Sequence, residues 1–163
     1  MPQHALPAAR SFLSFAAALA AAVAVAAPSA AQPTDLDIAA DSSLELTERA
    51  DSGSYQRYTI TLTSRDGVVS LVADRDGTRV EREIPGGEYL ALWTDLLQAD
   101  LRTLASPEGG RAVPDQSRFA VRHQVGPDSG GFAVYGVDSL TDTRYRRVVR
   151  AILALGDRYM RAR

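Results

Sequence analysis

Apolar and polar residues alternate along the stretch that begins at Leu44, in the pattern of half-buried β-strands. Residues 58–63 place Tyr, Ile and Leu at every second position with threonines between them, and only a strand with one buried face needs that period. Two Asp-Gly pairs follow, Asp66-Gly67 and Asp76-Gly77, and Asp-Gly supplies the positive φ of a tight hairpin turn. The pattern predicts a four-stranded antiparallel meander over residues 44–84.

Two later segments change to the three- and four-residue spacing of amphipathic helices. Residues 89–104 carry one apolar stripe that includes Trp93, and a second stripe begins near Asp142 and continues to the last residues. Between them lie a loop rich in Gly and Pro at 105–117 and a second hairpin, with strands at 118–125 and 131–137 joined by a loop at 126–130. The order predicts an α+β fold: an antiparallel sheet, made of the meander and the second hairpin, with two amphipathic helices packed on one face.

The N-terminal residues have the pattern of a cleavable signal peptide. A single Arg precedes a run of Ala, Val, Leu and Phe at 11–27, and Pro28 and small residues follow. The run is shorter than the roughly 20 residues of a spanning helix, so an uncleaved anchor is the weaker interpretation, and we expect no stable membrane span after cleavage. We predict a signal peptide at 1–31 cut after Ala31, a flexible acidic leader at 32–43 and a single domain at 44–163, in a periplasmic or secreted protein.

Composition narrows the possibilities further. The chain has no Cys, so it forms no disulfide and carries no lipid on a signal-peptide cysteine. Residues 32–110 have a net charge of −8 and residues 111–163 a net charge of +5. Attraction between two halves of one domain explains this split, and an acidic partner for the basic half is the alternative. The net negative charge after cleavage argues against general nucleic-acid binding.

One short string resembles catalytic machinery. Asp128-Ser129-Gly130-Gly131 is similar to the nucleophile segment of chymotrypsin-like serine proteases, which also need a His and an Asp far upstream. The only His after residue 31 is His123. We expect it several residues down the strand from a loop-borne Ser129, too far for a hydrogen bond, and we interpret the string as a hairpin turn. His123 alternates with apolar residues and is expected to face the core.

Metal and carboxylate sites are equally poorly supported. One His and no Cys do not make a transition-metal site, and residues 74–77 lack the Gly spacing of a calcium loop. Glu81 and Glu83 share the outer face of a strand beside Arg79 and are interpreted as solvated. We therefore predict no catalytic residue, no cofactor and no metal ligand, although acids distant in sequence can converge in the fold.

Two sets of residues are candidates for recognition. Exposed loops on a rigid sheet often bind partners, and an Arg-rich helix face can contact an anionic surface. The loop candidates are Pro107, Arg111, Pro127, Asp128 and Ser129, and the candidate basic surface consists of Arg144, Arg146, Arg147 and Arg150.

The layout of the chain resembles that of emfourin-type inhibitors of thermolysin-like metallopeptidases. The matching pieces are Leu44 to Arg49, Leu92 to Pro107, Arg118 to Val137 and the last helix. The resemblance is one of element order and implies a secreted peptidase inhibitor. Residues 51–55 read Asp-Ser-Gly-Ser-Tyr where that family has a Gly-Gly-Phe-Ala-Gly-like segment, so no inhibitory residue is transferred.

The functional prediction from sequence follows from these points. We expect an exported, non-enzymatic small binding domain whose partner is a protein or an envelope component and not a nucleic acid. A secreted peptidase inhibitor and a small carboxylate-dependent hydrolase are the alternatives.

Overall fold

Six strands form one antiparallel sheet in the order β4-β3-β2-β1-β5-β6. The computed structural model describes residues 41–50, 56–107 and 115–162. Each strand pairs with its neighbour in the antiparallel sense, which confirms the predicted meander and second hairpin. The strands are β1 (Asp41–Arg49), β2 (Gln56–Arg65), β3 (Val68–Arg75), β4 (Thr78–Ile84), β5 (Arg118–Val125) and β6 (Asp128–Tyr135).

The two Asp-Gly pairs form the predicted tight turns. Asp66 and Gly67 have φ values of 51° and 79°, and Asp76 and Gly77 have values of 50° and 81°. Two successive residues with positive φ fit the right-handed twist of the strands that they connect. Strand β1 begins at Asp41, three residues earlier than the alternation predicts, so the end of the predicted leader belongs to the sheet.

The second hairpin is tighter than its Gly-rich sequence predicts. The turn between β5 and β6 contains only Gly126 and Pro127, and β6 already begins at Asp128. Gly126 takes a φ of +53°, which lets a two-residue connection reverse the chain. The predicted loop at 126–130 is therefore wrong: Asp128 and Ser129 are strand residues paired with Val125 and Gln124.

Two α-helices follow the sheet strands, α1 (Gly86–Gln98) and α2 (Thr143–Arg161). The apolar stripe at 89–104 is not one helix, because Asp100 takes the left-handed conformation with a φ of 55° and a short 3₁₀ turn, Leu101–Thr103, follows. At the start of α2, the side chain of Asp142 accepts a hydrogen bond from the backbone N–H of Arg144, the capping role that suits an acid at this position.

Both helices cover the same face of the sheet, which we call the inner face. Leu46, Ile60 and Leu71 project from neighbouring central strands and are fully buried, and Trp93 of α1 is 1% exposed. No helix among the described residues lies on the opposite, outer face. Strand residues that point to that face are mostly small or polar, and they are partly exposed. Among the described residues, the outer face is therefore the face of the sheet that the helices leave open.

Candidate functional site

Two adjoining depressions lie on the outer face where β1, β5 and β6 meet. Their volumes are about 650 Å³ and about 170 Å³. Glu45, Arg118, Ala120 and Arg122 line both, so we treat the two as one surface and call it the outer-sheet groove. The remaining residues on this face that line it are Ser43, Thr47, Arg49, Gln56, Gln124, Ser129, Gly131 and Ala133, and Ser106 lines it from beyond the edge of the sheet.

The alternation of β5 places two arginines in the groove. Phe119, Val121 and His123 are buried on the inner face, so Arg118 and Arg122 must point outward. Because β1 pairs with β5, Arg49 lies directly opposite Arg118. We call Arg49, Arg118 and Arg122 the sheet arginines.

The charge of the sheet arginines is poorly compensated. Arg49 and Arg118 are like charges in directly opposed positions, an arrangement that destabilises a sheet. Within the described residues, none of the three forms an ion pair. Glu45 is opposite Arg122, but its Oε1 accepts a hydrogen bond from Thr47 Oγ1 at 3.2 Å. The groove therefore presents guanidinium groups that are able to bind carboxylates or phosphates in the two-point manner of arginine.

The floor of the groove is made of small residues. Gly131 lies opposite Arg122, and Ala133 lies opposite Ala120. A Cβ at position 131 would clash with the backbone carbonyl of Val121 and lie 3.1 Å from the Cα of Arg122, so the close approach of β5 and β6 requires glycine there. At the free edge of β6, Ser106 Oγ accepts a hydrogen bond of 2.9 Å from Ala133 N. That bond fixes one rim of the groove.

The predicted basic surface on α2 has a different electrostatic character. An acidic side chain lies within 4.0 Å of every member of the set, so the positive charge is compensated within the fold. These exposed pairs each contribute little to stability, but they lower the potential available to a partner. Arg144 pairs with Asp142 at 2.7 Å and with Asp100 at 3.6 Å, Arg146 with Asp138 at 3.5 Å, Arg147 with Asp95 at 3.7 Å, and Arg150 with Asp138 at 2.8 Å.

The ion pairs also account for part of the charge split along the chain. Glu88 and Asp95 of α1 pair with Arg158 and Arg147 of α2, at 3.0 and 3.7 Å. In the opposite sense, Arg75 of β3 pairs with Asp157 of α2 at 2.5 Å. Acids of the first half thus lie against basic residues of the second half, as expected if the two halves attract each other.

The predicted recognition residues are separated in the structure. Pro107 and Pro127 are exposed, and Arg111 lies outside the described residues. Asp128 is paired with Arg102. Of the described members of this set, only Ser129 lines the outer-sheet groove.

His123 and Ser129 do not form a nucleophile–base pair. Ser129 pairs in register with Gln124 and so lies on the outer face, whereas His123 is 7% exposed on the inner face. The expectation that distance along the strand separates them is wrong: they are one register step apart, and opposite faces separate them. His123 stands edge-on to Trp93 with ring centroids 6.3 Å apart. Burial and then nearby Arg102 lower the pKa of His123, against the opposing effect of Asp128.

The described part of the chain gives little support to a metal site, a carboxylate pair or a membrane-spanning helix. No group of three His, Asp or Glu side chains in residues 41–50, 56–107 and 115–162 is arranged to hold a metal ion. Glu81 and Glu83 are exposed on strand β4 at the edge of the sheet, and Glu81 lies 3.6 Å from Arg79. Across the same ranges, no helix has both the length and the apolar character needed to cross a membrane.

The sheet arginines are the site residues that the sequence analysis missed. The alternation of residues 118–125 places Arg118 and Arg122 on one face, and this signal was available from the sequence. Their proximity to Arg49 was not available, because it depends on the pairing of β5 with β1, which are far apart in the chain.

No family model matches this chain, and no curated protein matches it. The geometry of the outer-sheet groove is therefore the main guide to function.

Proposed function

We propose that this protein is an exported, non-enzymatic binding domain, and that its outer-sheet groove binds an anionic group on a protein or envelope component. The signal-peptide pattern of residues 1–31 supports export. The groove supports binding, because it is open, lies on a rigid sheet and contains three arginines with hydroxyl and amide groups nearby.

The observation that carries this proposal is the contrast between two sets of arginines. The arginines of the predicted basic surface on α2 each lie beside a carboxylate. By contrast, Arg49 and Arg118 oppose each other across two central strands without an acidic partner among the described residues. A fold gains nothing in stability from that repulsion, and functional sites commonly retain such locally unfavourable arrangements.

The chemistry in the groove supports the non-enzymatic part of the proposal. An arginine guanidinium is a hydrogen-bond donor and does not act as a general base, and among the described residues Ser129 has no histidine on its side of the sheet. Among the described residues, Glu45 is the one carboxylate that lines the groove, and a single carboxylate does not supply the acid and base pair of a hydrolase.

A paired capture experiment tests the proposal. Tagged protein is incubated with envelope and secreted fractions of the source cell, and bound material is identified by mass spectrometry. One variant carries Arg49→Gln, Arg118→Gln and Arg122→Gln. A matched control carries Arg144→Gln, Arg147→Gln and Arg150→Gln on α2, so that both variants have the same net charge.

We expect the wild-type protein and the variant with the three α2 substitutions (the α2 variant) to capture the same partner in similar amounts. The variant with the three substitutions in the groove should capture at most one-tenth of that amount. Equal capture by all three proteins would refute the groove as the binding surface. If only the α2 variant failed to capture the partner, the predicted basic surface and not the groove would be the binding surface. A captured metallopeptidase whose activity falls on binding would identify the protein as an inhibitor.

A further inference from the structure

We propose that the occupant of the outer-sheet groove is an extended acidic peptide segment of a partner protein, with two carboxylate side chains four residues apart. This inference rests on the proposed function and narrows it to one chemical class of ligand. It follows from the spacing of the sheet arginines, the position of Glu45 and the character of the remaining groove residues.

The sheet arginines form two positive positions along β5. Arg49 and Arg118 lie together at one end of the strand, and Arg122 lies four residues further on the same face. At about 3.3 Å per residue, the two positions are about 13 Å apart. An extended peptide has the same repeat, so side chains at i and i+4 point to one side with the same separation. Two glutamates or aspartates in such a segment therefore match the two positions.

Glu45 disfavours a polymer that carries a negative charge at every repeat. It lies opposite Arg122 in the β1–β5 register and lines both depressions. A nucleic acid or polyphosphate crossing the groove would bring an anionic group beside this carboxylate, and like charges at close range repel. A peptide carries charge only at its two acids, so it brings fewer anionic groups past Glu45 than a polymer that is charged at every repeat.

The other lining residues also favour a peptide over a nucleic acid. Among the described residues that line the two depressions, the aromatic ones are Phe132 and His123, and both are buried on the inner face. Single-stranded nucleic acids usually bind on exposed aromatic platforms. In contrast, Ser43, Gln124 and Ser129 at the far end offer hydroxyl and amide groups suited to neutral peptide groups. The small floor residues leave room for a peptide backbone.

Fluorescence anisotropy with defined probes tests this inference on the purified protein. The first probe is a labelled Gly/Ser peptide with two glutamates at i and i+4. The second has the same composition with adjacent glutamates, the third has both glutamates replaced by glutamine, and the fourth is an oligothymidylate. Each is titrated with wild-type protein, with R118Q, with E45Q and with R147Q as the control for charge. Far-ultraviolet circular dichroism verifies that all three variants are folded.

We expect the i,i+4 peptide to bind at least tenfold more tightly than the glutamine peptide and the adjacent-glutamate peptide. Charge-assisted hydrogen bonds are strong enough to give a difference of this size. R118Q should weaken binding of the i,i+4 peptide at least tenfold, and R147Q should leave it within twofold of wild type. E45Q should increase affinity for the oligothymidylate while changing affinity for the peptide less.

Three results would overturn the inference. Equal affinity for the two glutamate peptides would refute the spacing. Tighter, Arg118-dependent binding of the oligothymidylate would refute the peptide class while leaving an anion-binding groove, and with it the proposed function, in place. Absence of Arg118-dependent binding by any probe would also refute it. The proposed function would then stand or fall separately on the paired capture experiment.

Discussion

Gly156 of α2 packs closely against the sheet, and replacing it with alanine should destabilise the fold. A Cβ at this position would lie 2.7 Å from Tyr58 Oη and 2.8 Å from Ile60 Cγ1, and closer still to Ile60 Cδ1. Tyr58 and Ile60 are 1% and 0% exposed, so neither has free space into which to move. Overpacking of this kind costs about 1–3 kcal/mol.

The change in helix propensity has the opposite effect on stability. Alanine is more favourable than glycine in a helix interior by about 1 kcal/mol. The net expectation for Gly156→Ala is therefore a loss of up to about 2 kcal/mol in the free energy of unfolding. For a chain of this length, the melting temperature should fall by up to about 6 °C.

Urea unfolding followed by tryptophan fluorescence measures this loss. The chain has a single Trp, Trp93, which is 1% exposed and reports on the packing of α1 on the sheet. The matched control is Gly87→Ala in α1, where an added Cβ meets nothing within 4 Å. That control should be neutral or stabilising by up to about 1 kcal/mol.

A double variant shows where the strain arises. Ile60→Val removes Cδ1, the atom nearest to the added Cβ, and alone costs about 0.5–1.5 kcal/mol. Combined with Gly156→Ala, it should be less destabilising than the sum of the two single changes. Stabilisation by Gly156→Ala equal to that of Gly87→Ala would refute the close packing of α2 against Tyr58 and Ile60.

Three further predictions concern pH, the sheet arginines and export. Because the pKa of His123 is lowered in the folded state, the unfolded chain binds more protons below its own pKa of about 6.5. The free energy of unfolding should thus be highest above pH ~6.5 and decrease as the pH falls. An unchanged urea midpoint between pH 7.5 and 5.5 would contradict this. An equal decrease of the urea midpoint in the His123→Phe variant would also contradict it. Arg118→Gln relieves repulsion with Arg49 and should raise the free energy of unfolding by a few tenths of a kcal/mol at low salt, so a clear decrease would contradict the register argument. N-terminal sequencing of exported protein should begin at Gln32, and a start at Met1 would contradict the signal-peptide prediction.

Much of the fold could be predicted because its signals are local. The alternation at 58–63 and the Asp-Gly pairs at 66–67 and 76–77 specify strands and turns within a few residues of themselves. The apolar stripes of α1 and α2 likewise require burial, and one face of the sheet provides it. Each of these signals is complete within one element or one hairpin.

The remaining features depend on contacts between distant parts of the chain. The alternation does not say that β5 joins the sheet beside β1, and without that pairing Arg49 and Arg118 cannot be placed together. The break at Asp100 was missed because apolar residues continue at helical spacing through it. The early start of β6 was missed because Ser and Gly are common in turns, and the edge of a sheet also tolerates them.

The acid partners of α2 illustrate the same limit. The clustering of arginines in the last helix is visible in the sequence, and it predicts a basic surface. Asp95 and Asp138 come from α1 and from the turn before α2, and only the folded chain places them beside Arg147 and Arg150. The surface with the less compensated charge is therefore on the sheet.

Arginine-selective footprinting tests the central claim, that the outer-sheet groove is the binding surface, most directly. The folded protein is treated briefly with phenylglyoxal, with and without an envelope extract that contains its partner, and the modified arginines are quantified by mass spectrometry. The account predicts that the partner protects Arg49, Arg118 and Arg122, while modification of Arg147 and Arg150 is unchanged. Protection of Arg147 and Arg150, with the sheet arginines modified equally in both samples, would contradict it.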